Sequence, residues 1–235
     1  MQKPSVVLFD MDGLIFDTGR LAYRAYLAAG RDLDFTVTPD VYYYLTGRKE
    51  EEIRLVMQEI YGPMAPVDRF RDAINHYKSL WMNEAQRVYK KEGLLALLEE
   101  LKKQKIQCVL ATSTKRETTD RYLVMEGMVG VFDAIFTGDL VPFSKPNPEI
   151  FLRPCRSLGI APAQALVLED SYVGVKAAEQ GGIPVFQIPD DITDFGSHQG
   201  TYALLADLKA LMAADPIAPR VFPSLTAVRD FFAQA

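Results

Sequence analysis

The chain is poor in the residues that mark several functional classes. It carries two cysteines and two histidines. Cys108 and Cys155 fit no zinc or redox spacing, and two cysteines make no disulfide framework. Cys108 falls in the apolar run Ile106–Ala111, which predicts a buried, inert thiol. His76 and His198 have no matching partner, so neither receives a role. No run approaches the roughly 20 apolar residues of a membrane span, and no membrane contact is expected. The N-terminal apolar run Val6–Phe9 is too short for a signal peptide and stops at Asp10. A cytoplasmic protein is expected. Basic residues are not in excess either: the formal net charge is −5. Nucleic acid is therefore not an expected partner, because its phosphates want a basic face. An acidic protein still binds an anionic substrate where cations gather locally, and a bound metal ion is one way to gather them.

What is present is an alternation of short apolar runs with helical patterns. The chain is long enough for one large domain or a core with a smaller insert. Ser5–Phe9, Gln107–Ala111, Ala134–Thr137, Ala165–Leu168 and Ile183–Ile188 read as buried strands. Gly93–Lys103, Glu117–Glu126, Glu149–Leu158 and Val173–Gln180 read as helices between them. Strands alternating with helices predict a parallel α/β sheet. From about Asp17 to Arg87 the patterns are mainly helical, including Arg48–Ile60 and Val67–Met82. A structureless loop of that length is improbable, so an inserted helical domain is expected. The predicted division is a core of residues 1–16 and 88–235 and a cap of residues 17–87. A helix near Leu204–Ala213, a short strand at Arg220–Phe222 and a helix near Leu225–Phe232 close the chain.

Ligands of open α/β sheets bind beyond the carboxyl ends of the strands, so the residues after each run matter most. Asp10-Met11-Asp12-Gly13 follows the first run and Thr112-Ser113-Thr114 the second. A loop with Ser144-Lys145-Pro146 follows the third, and Glu169-Asp170-Ser171 the fourth. Carboxylates, hydroxyls and one cation thus converge on one edge. Asp10 and Asp12 are two apart in extended chain and point to one side. So close a pair repels unless a cation intervenes, which suits either a metal site or a nucleophile with an acid/base partner. Glu169 and Asp170 add hard oxygen ligands, and a set without His or Cys suits Mg²⁺ better than zinc. Each segment alone has a plainer reading: a solvated turn, a helix cap at Ser171, a solvated Lys145. Together, in this order, they point to phosphoryl chemistry.

These segments carry a family resemblance. FDMDGLIFDT (Phe9–Thr18), VLATST (Val109–Thr114), KPNPEIF (Lys145–Phe151) and LEDSYVGVKAAEQGG (Leu168–Gly182) resemble the motifs of the haloacid dehalogenase superfamily. The similarity is to the branch with a helical cap after the first strand, which holds β-phosphoglucomutase and many sugar phosphatases. The resemblance implies a doubly wound, Rossmann-like parallel core with a small helical cap, and a phosphoric monoester hydrolase. It implies Asp10 as nucleophile and Mg²⁺ ligand, and Asp12 as acid and base with its backbone carbonyl on the metal. Thr112 and the Ser113 backbone would hold the phosphoryl group, and Lys145 would offset its charge. Asp170 would ligate Mg²⁺, with Glu169 beside it or behind. Family members that cleave carbon–halogen bonds lack the second Asp, so Asp12 argues for phosphate. The sequence departs from the branch after Asp17-Thr18, where Gly19-Arg20 replaces the usual Glu.

Substrate choice is expected to rest on the cap. Thr46-Gly47-Arg48 resembles the cap segment that faces the active site, with Arg48 available to an anionic group or sugar hydroxyls. Tyr42, Tyr43, Tyr44 and Trp81 are expected to pack between cap helices. The leading expectation is a phosphatase acting on a small phosphorylated metabolite, as a monomer or weak homodimer. A phosphomutase of the β-phosphoglucomutase type is the runner-up, and a non-catalytic binding protein on the same fold is the third reading. Mutases resemble one another in a His of the first cap helix; the corresponding residue here is Ala22.

Overall fold

The computed structural model describes residues 3–234. Its centre is a sheet of six parallel strands: β1 (Val6–Phe9), β2 (Gln107–Ala111), β3 (Ala134–Phe136), β4 (Ala165–Glu169), β5 (Val185–Gln187) and β6 (Arg220–Val221). Their order across the sheet is β3-β2-β1-β4-β5-β6. Leu8 sits in register with Val109 on one side and Val167 on the other. The first three strands run outward one way and the last three the other. The reversal falls between β1 and β4, and the crevice beyond their carboxyl ends is the place such sheets offer a ligand.

Between β1 and β2 the chain forms α1 (Thr18–Leu33), α2 (Pro39–Leu45), α3 (Glu50–Tyr61), α4 (Val67–Ala85) and α5 (Leu94–Lys103). Then come α6 (Arg116–Met125), α7 (Glu149–Leu158), α8 (Tyr172–Gln180), α9 (Leu208–Ala214) and α10 (Leu225–Ala233). The third helix starts at Glu50 rather than at Arg48, which leaves Thr46–Lys49 as a loop. The ninth starts later than its apolar pattern suggests, because the Asp207 carboxylate accepts the Ala210 amide and caps it there. Successive strand residues face opposite sides. Val7, Phe9, Leu110 and Leu168 join leucines of α5 and Phe232 of α10 in one core, and Val6, Leu8, Val109 and Val167 join Phe151 of α7 and Ala177 of α8 in another. The doubly wound α/β architecture read from the sequence is the one observed. Among the described residues, no helix is long and apolar enough to cross a membrane.

Helices α1–α4 bury a cluster of their own, built on Tyr23, Tyr26, Phe35, Tyr42 and Phe70. Tyr42 packs edge-on against Tyr23 and Tyr26, so the tyrosine run does serve packing. The cluster also takes in Ile192 and Leu208, which lie between β5 and β6. That connection reaches across as a strap. His198 forms an antiparallel bridge with Val37, and Tyr202 a parallel one with Phe35. Arg20 donates to both carboxylate oxygens of Asp194, at 2.8 and 2.6 Å. A Cβ at position 19 would run into the Asp190 carboxylate. The Gly19-Arg20 departure is thus the sequence trace of the strap.

The two crossings between sheet and inserted helices lie side by side. Phe16 bridges Lys90 antiparallel, and the Asp17 amide donates to the Tyr89 carbonyl at 2.9 Å. Glu126, whose side chain is wholly buried, accepts hydrogen bonds from Arg87 and Lys90 and from the Val88 and Tyr89 amides. It fixes the returning crossing to the core.

Candidate active site

Asp10 is the first residue beyond β1, and its amide donates to the Leu168 carbonyl of β4 at 3.1 Å. That bond holds it at the switch point. Lys145 arrives from the loop after β3 and is fully buried. Its ammonium donates to Asp10 Oδ1 and Glu169 Oε1, each at 2.5 Å. Ser171 gives its amide and hydroxyl to the other Glu169 oxygen, at 2.8 and 2.9 Å. Glu169 is therefore engaged at both oxygens. Asp170 is not: its Oδ1 is buried without a hydrogen-bond partner.

Charge is unbalanced in this crevice. Asp10, Glu169 and Asp170 bring oxygens within 4.8 Å of one another, against the single buried Lys145. Burial pushes Asp10 up from its ordinary 3.8 to about 7, with Lys145 pulling the other way and Glu169 adding repulsion. Burial, then the charges of Glu169 and Asp10, hold Asp170 well above the ordinary range. For Lys145 burial disfavours the cation, but Asp10 and Glu169 outweigh it and the pKa rises. Buried like charges with an unpartnered oxygen among them fit a small hard cation, so these residues suit a divalent metal.

Asp12 lies outside that acidic group. Thr18 donates to its Oδ1 at 2.8 Å and Thr114 to its Oδ2 at 2.6 Å. Both carboxylate oxygens are thus engaged by hydroxyls, and Asp12 is not one of the three residues whose oxygens group together. Thr112 is buried beyond β2, with its amide on the Phe136 carbonyl. Ser113 donates its hydroxyl to the Gly47 carbonyl at 2.9 Å. Gly47 has φ +89, and a Cβ there would press on Ser171 and Val173; only glycine allows the loop this approach. Lys49 adds a second contact, to the Val141 carbonyl at 2.7 Å.

The inserted helices thereby roof a cavity of about 450 Å³. Asp10, Asp12, Thr112 and Asp170 line its floor, and Arg48 and Lys78 line its roof. Neither of these two cations has a carboxylate partner among the described residues. Burial, then the charge of Arg71, lowers the Lys78 pKa.

Every site residue read from the sequence lies at this crevice. Reading alone missed Thr18, Thr114, Lys78 and Arg71. Both threonines stand inside the recognised motifs, but nothing in a linear motif shows which hydroxyl faces Asp12. Lys78 and Arg71 both fall on α4 and both line the cavity, a helical spacing that places them on one face.

A family model for haloacid dehalogenase-like hydrolases matches residues 7–188. The chain belongs to the haloacid dehalogenase-like hydrolases. A family relative from Thermotoga maritima, named phosphorylated carbohydrates phosphatase, is 32% identical over 75% of this chain and 81% of its own. Protein CbbY of Cereibacter sphaeroides is 30% identical over 91% of this chain and 97% of its own. The crystal structure of CbbY from Rhodobacter sphaeroides with xylulose-1,5-bisphosphate shares the fold, with a TM-score of 0.66 at 24% identity over 95% of each chain. The expectation of an enzyme of the phosphatase type holds at the level of this family.

Proposed function

We propose that this chain is an Mg²⁺-dependent phosphatase that hydrolyses a phosphorylated carbohydrate through an aspartyl-phosphate on Asp10. The observation that carries the reading is the buried group of Asp10, Lys145, Glu169 and Asp170 at the switch point. In it α1–α4, residues 17–87, act as a cap over a core of residues 1–16 and 88–235.

Asp10 attacks phosphorus and the bond to the leaving oxygen breaks, while Asp12 gives that oxygen its proton. Asp12 then takes a proton from water, which attacks the aspartyl-phosphate and frees Asp10 and phosphate. Thr18 and Thr114 orient Asp12 for both transfers. Thr112 and the Ser113 backbone hold the phosphoryl oxygens, and Lys145 offsets charge on Asp10. Asp10, Asp170 and the Asp12 carbonyl would hold Mg²⁺, with Glu169 behind them. When bound, the ion supplies neutralising charge to the transferring group.

The name of the Thermotoga relative supports a carbohydrate phosphate. Arg48 and Lys78 line the same cavity as the nucleophile, and they would receive sugar hydroxyls or a second anionic group. Ala22 also lines it, so no imidazole stands there to couple closure to a mutase intermediate, and water is the default acceptor. The test is a screen of phosphorylated sugars with and without Mg²⁺. Release of phosphate with metal and none in Asp10→Asn is expected. Equal turnover in wild type and Asp10→Asn refutes the nucleophile. Glucose 6-phosphate forming from β-glucose 1-phosphate faster than free phosphate would establish the mutase instead.

A further inference from the structure

A second cavity, of about 670 Å³, lies behind the paired crossings. Three rings, Trp81, Tyr89 and Phe195, and three guanidiniums, Arg20, Arg24 and Arg87, stand in its wall. Each guanidinium covers one ring: Arg20 over Phe195 at 4.4 Å, Arg24 over Trp81 at 5.1 Å and Arg87 over Tyr89 at 5.0 Å. Two of these cations are committed, Arg20 to Asp194 and Arg87 to Glu126. Arg24 has no carboxylate partner among the described residues. The wall also holds two carboxylates. Lys91 lies between Asp17 at 3.1 Å and Asp190 at 2.5 Å, and Glu84 is exposed to solvent.

The backbone here is unusual as well. Gln86 and Tyr89 both have φ +51, a region non-glycine residues seldom adopt. Such conformations cluster at ligand sites and switch regions. The volume lies in the range of small-molecule sites. Each ring already carries a guanidinium on one side, and Trp81 packs against Tyr77 at 5.3 Å besides. A planar ligand adds to such ring and guanidinium layers, and an uncommitted guanidinium pairs with an acid. We propose that this cavity binds a small planar aromatic acid, held by stacking against its ring and guanidinium layers and by the charge of Arg24. Thr18 lines both cavities and donates to Asp12, so an occupant touches the residue that orients the catalytic carboxylate.

Trp81 is the chain's single tryptophan, so its indole N–H gives one NMR resonance that reports on the cavity without turnover. Titration of the intact protein with nicotinate, nicotinamide and acetate separates the contributions of ring and charge. Nicotinate is expected to move the resonance saturably. Nicotinamide has the ring without the charge and acetate the charge without the ring; both are expected to bind at least about tenfold more weakly. Arg24→Gln, at an exposed position, should weaken nicotinate by about tenfold or more. No saturable shift with nicotinate, equal shifts from the three probes, or an undiminished response in Arg24→Gln overturns the proposal. The three-probe comparison on wild type needs no variant.

Discussion

The Ser113 hydroxyl donates to the Gly47 carbonyl at 2.9 Å, so one residue of the loop after β2 ties the roof of the crevice to its floor. Ser113→Ala keeps the backbone and removes the tie. One such bond is worth about 0.5–1.5 kcal/mol, so KM is expected to rise about two- to tenfold with kcat little changed. Steady-state kinetics on a sugar phosphate checks this, and an unchanged KM shows that the tie plays no part in substrate binding.

Asp12 is held at both oxygens by Thr18 and Thr114. Asp12→Ala is predicted to lower kcat by about 10²–10⁴-fold, the usual worth of general acid/base catalysis, without lowering the melting temperature. Thr114→Val leaves the carboxylate but frees one oxygen, and a loss of about tenfold is expected, one bond's worth at most. Near-normal turnover in Asp12→Ala would falsify its role as acid and base.

Metal removal has a predicted pH signature. Burial raises the Asp10 carboxyl from 3.8 to about 7. A carboxyl with a raised folded pKa stabilises the native state fully below its unfolded value, and that contribution is lost as pH rises through the folded value. Chelated protein should therefore lose melting temperature from pH 3.8 up through about 7. Mg²⁺ should restore it at the upper end by binding only the native state, and should restore hydrolysis with it. Asp10→Asn should make the chelated profile shallower, leaving the part that the raised Asp170 carboxyl contributes. Thermal unfolding across pH decides the matter: an undiminished slope in Asp10→Asn, or chelated wild type indifferent to Mg²⁺, contradicts the assignment.

Lys78 and Arg48 share the roof of the catalytic cavity. Lys78→Met and Arg48→Ala are each predicted to raise KM at least about tenfold for a sugar bisphosphate, the scale of a lost charge-assisted pair. An aryl monophosphate with no second anion should be affected less than about twofold. Parallel losses on both substrates would assign these residues to the fold instead of to selection.

The candidate site was legible because it sits at strand ends. Asp10, Thr112, Lys145 and Asp170 each follow a strand-like run or lie in the loop beyond one, and a parallel sheet gathers such positions whatever lies between them. The strap was not legible. Its contacts to the inserted helices include two isolated bridges, the Arg20–Asp194 ion pair, side-chain hydrogen bonds such as Tyr23 to the Gly196 carbonyl, and single apolar residues such as Ile192, none of which has a period that a sequence reveals. Only Gly19-Arg20 marked it, and that pair gains its meaning from Asp190 and Asp194, far away in the chain.

The strap also dictates an order of assembly. The cluster of α1–α4 is completed by Ile192 and Leu208, so a chain growing from its N-terminus finishes these helices long before the residues that cover their last apolar surface emerge. They must wait, with Tyr202 and His198, the bridge partners of Phe35 and Val37, still missing, in the exposed condition that favours misassembly and chaperone capture. Residues 17–87 are for the same reason not a portable module. Expressed alone, they are expected to bind apolar dyes and to melt without cooperativity, and adding the strap in trans should sharpen the transition.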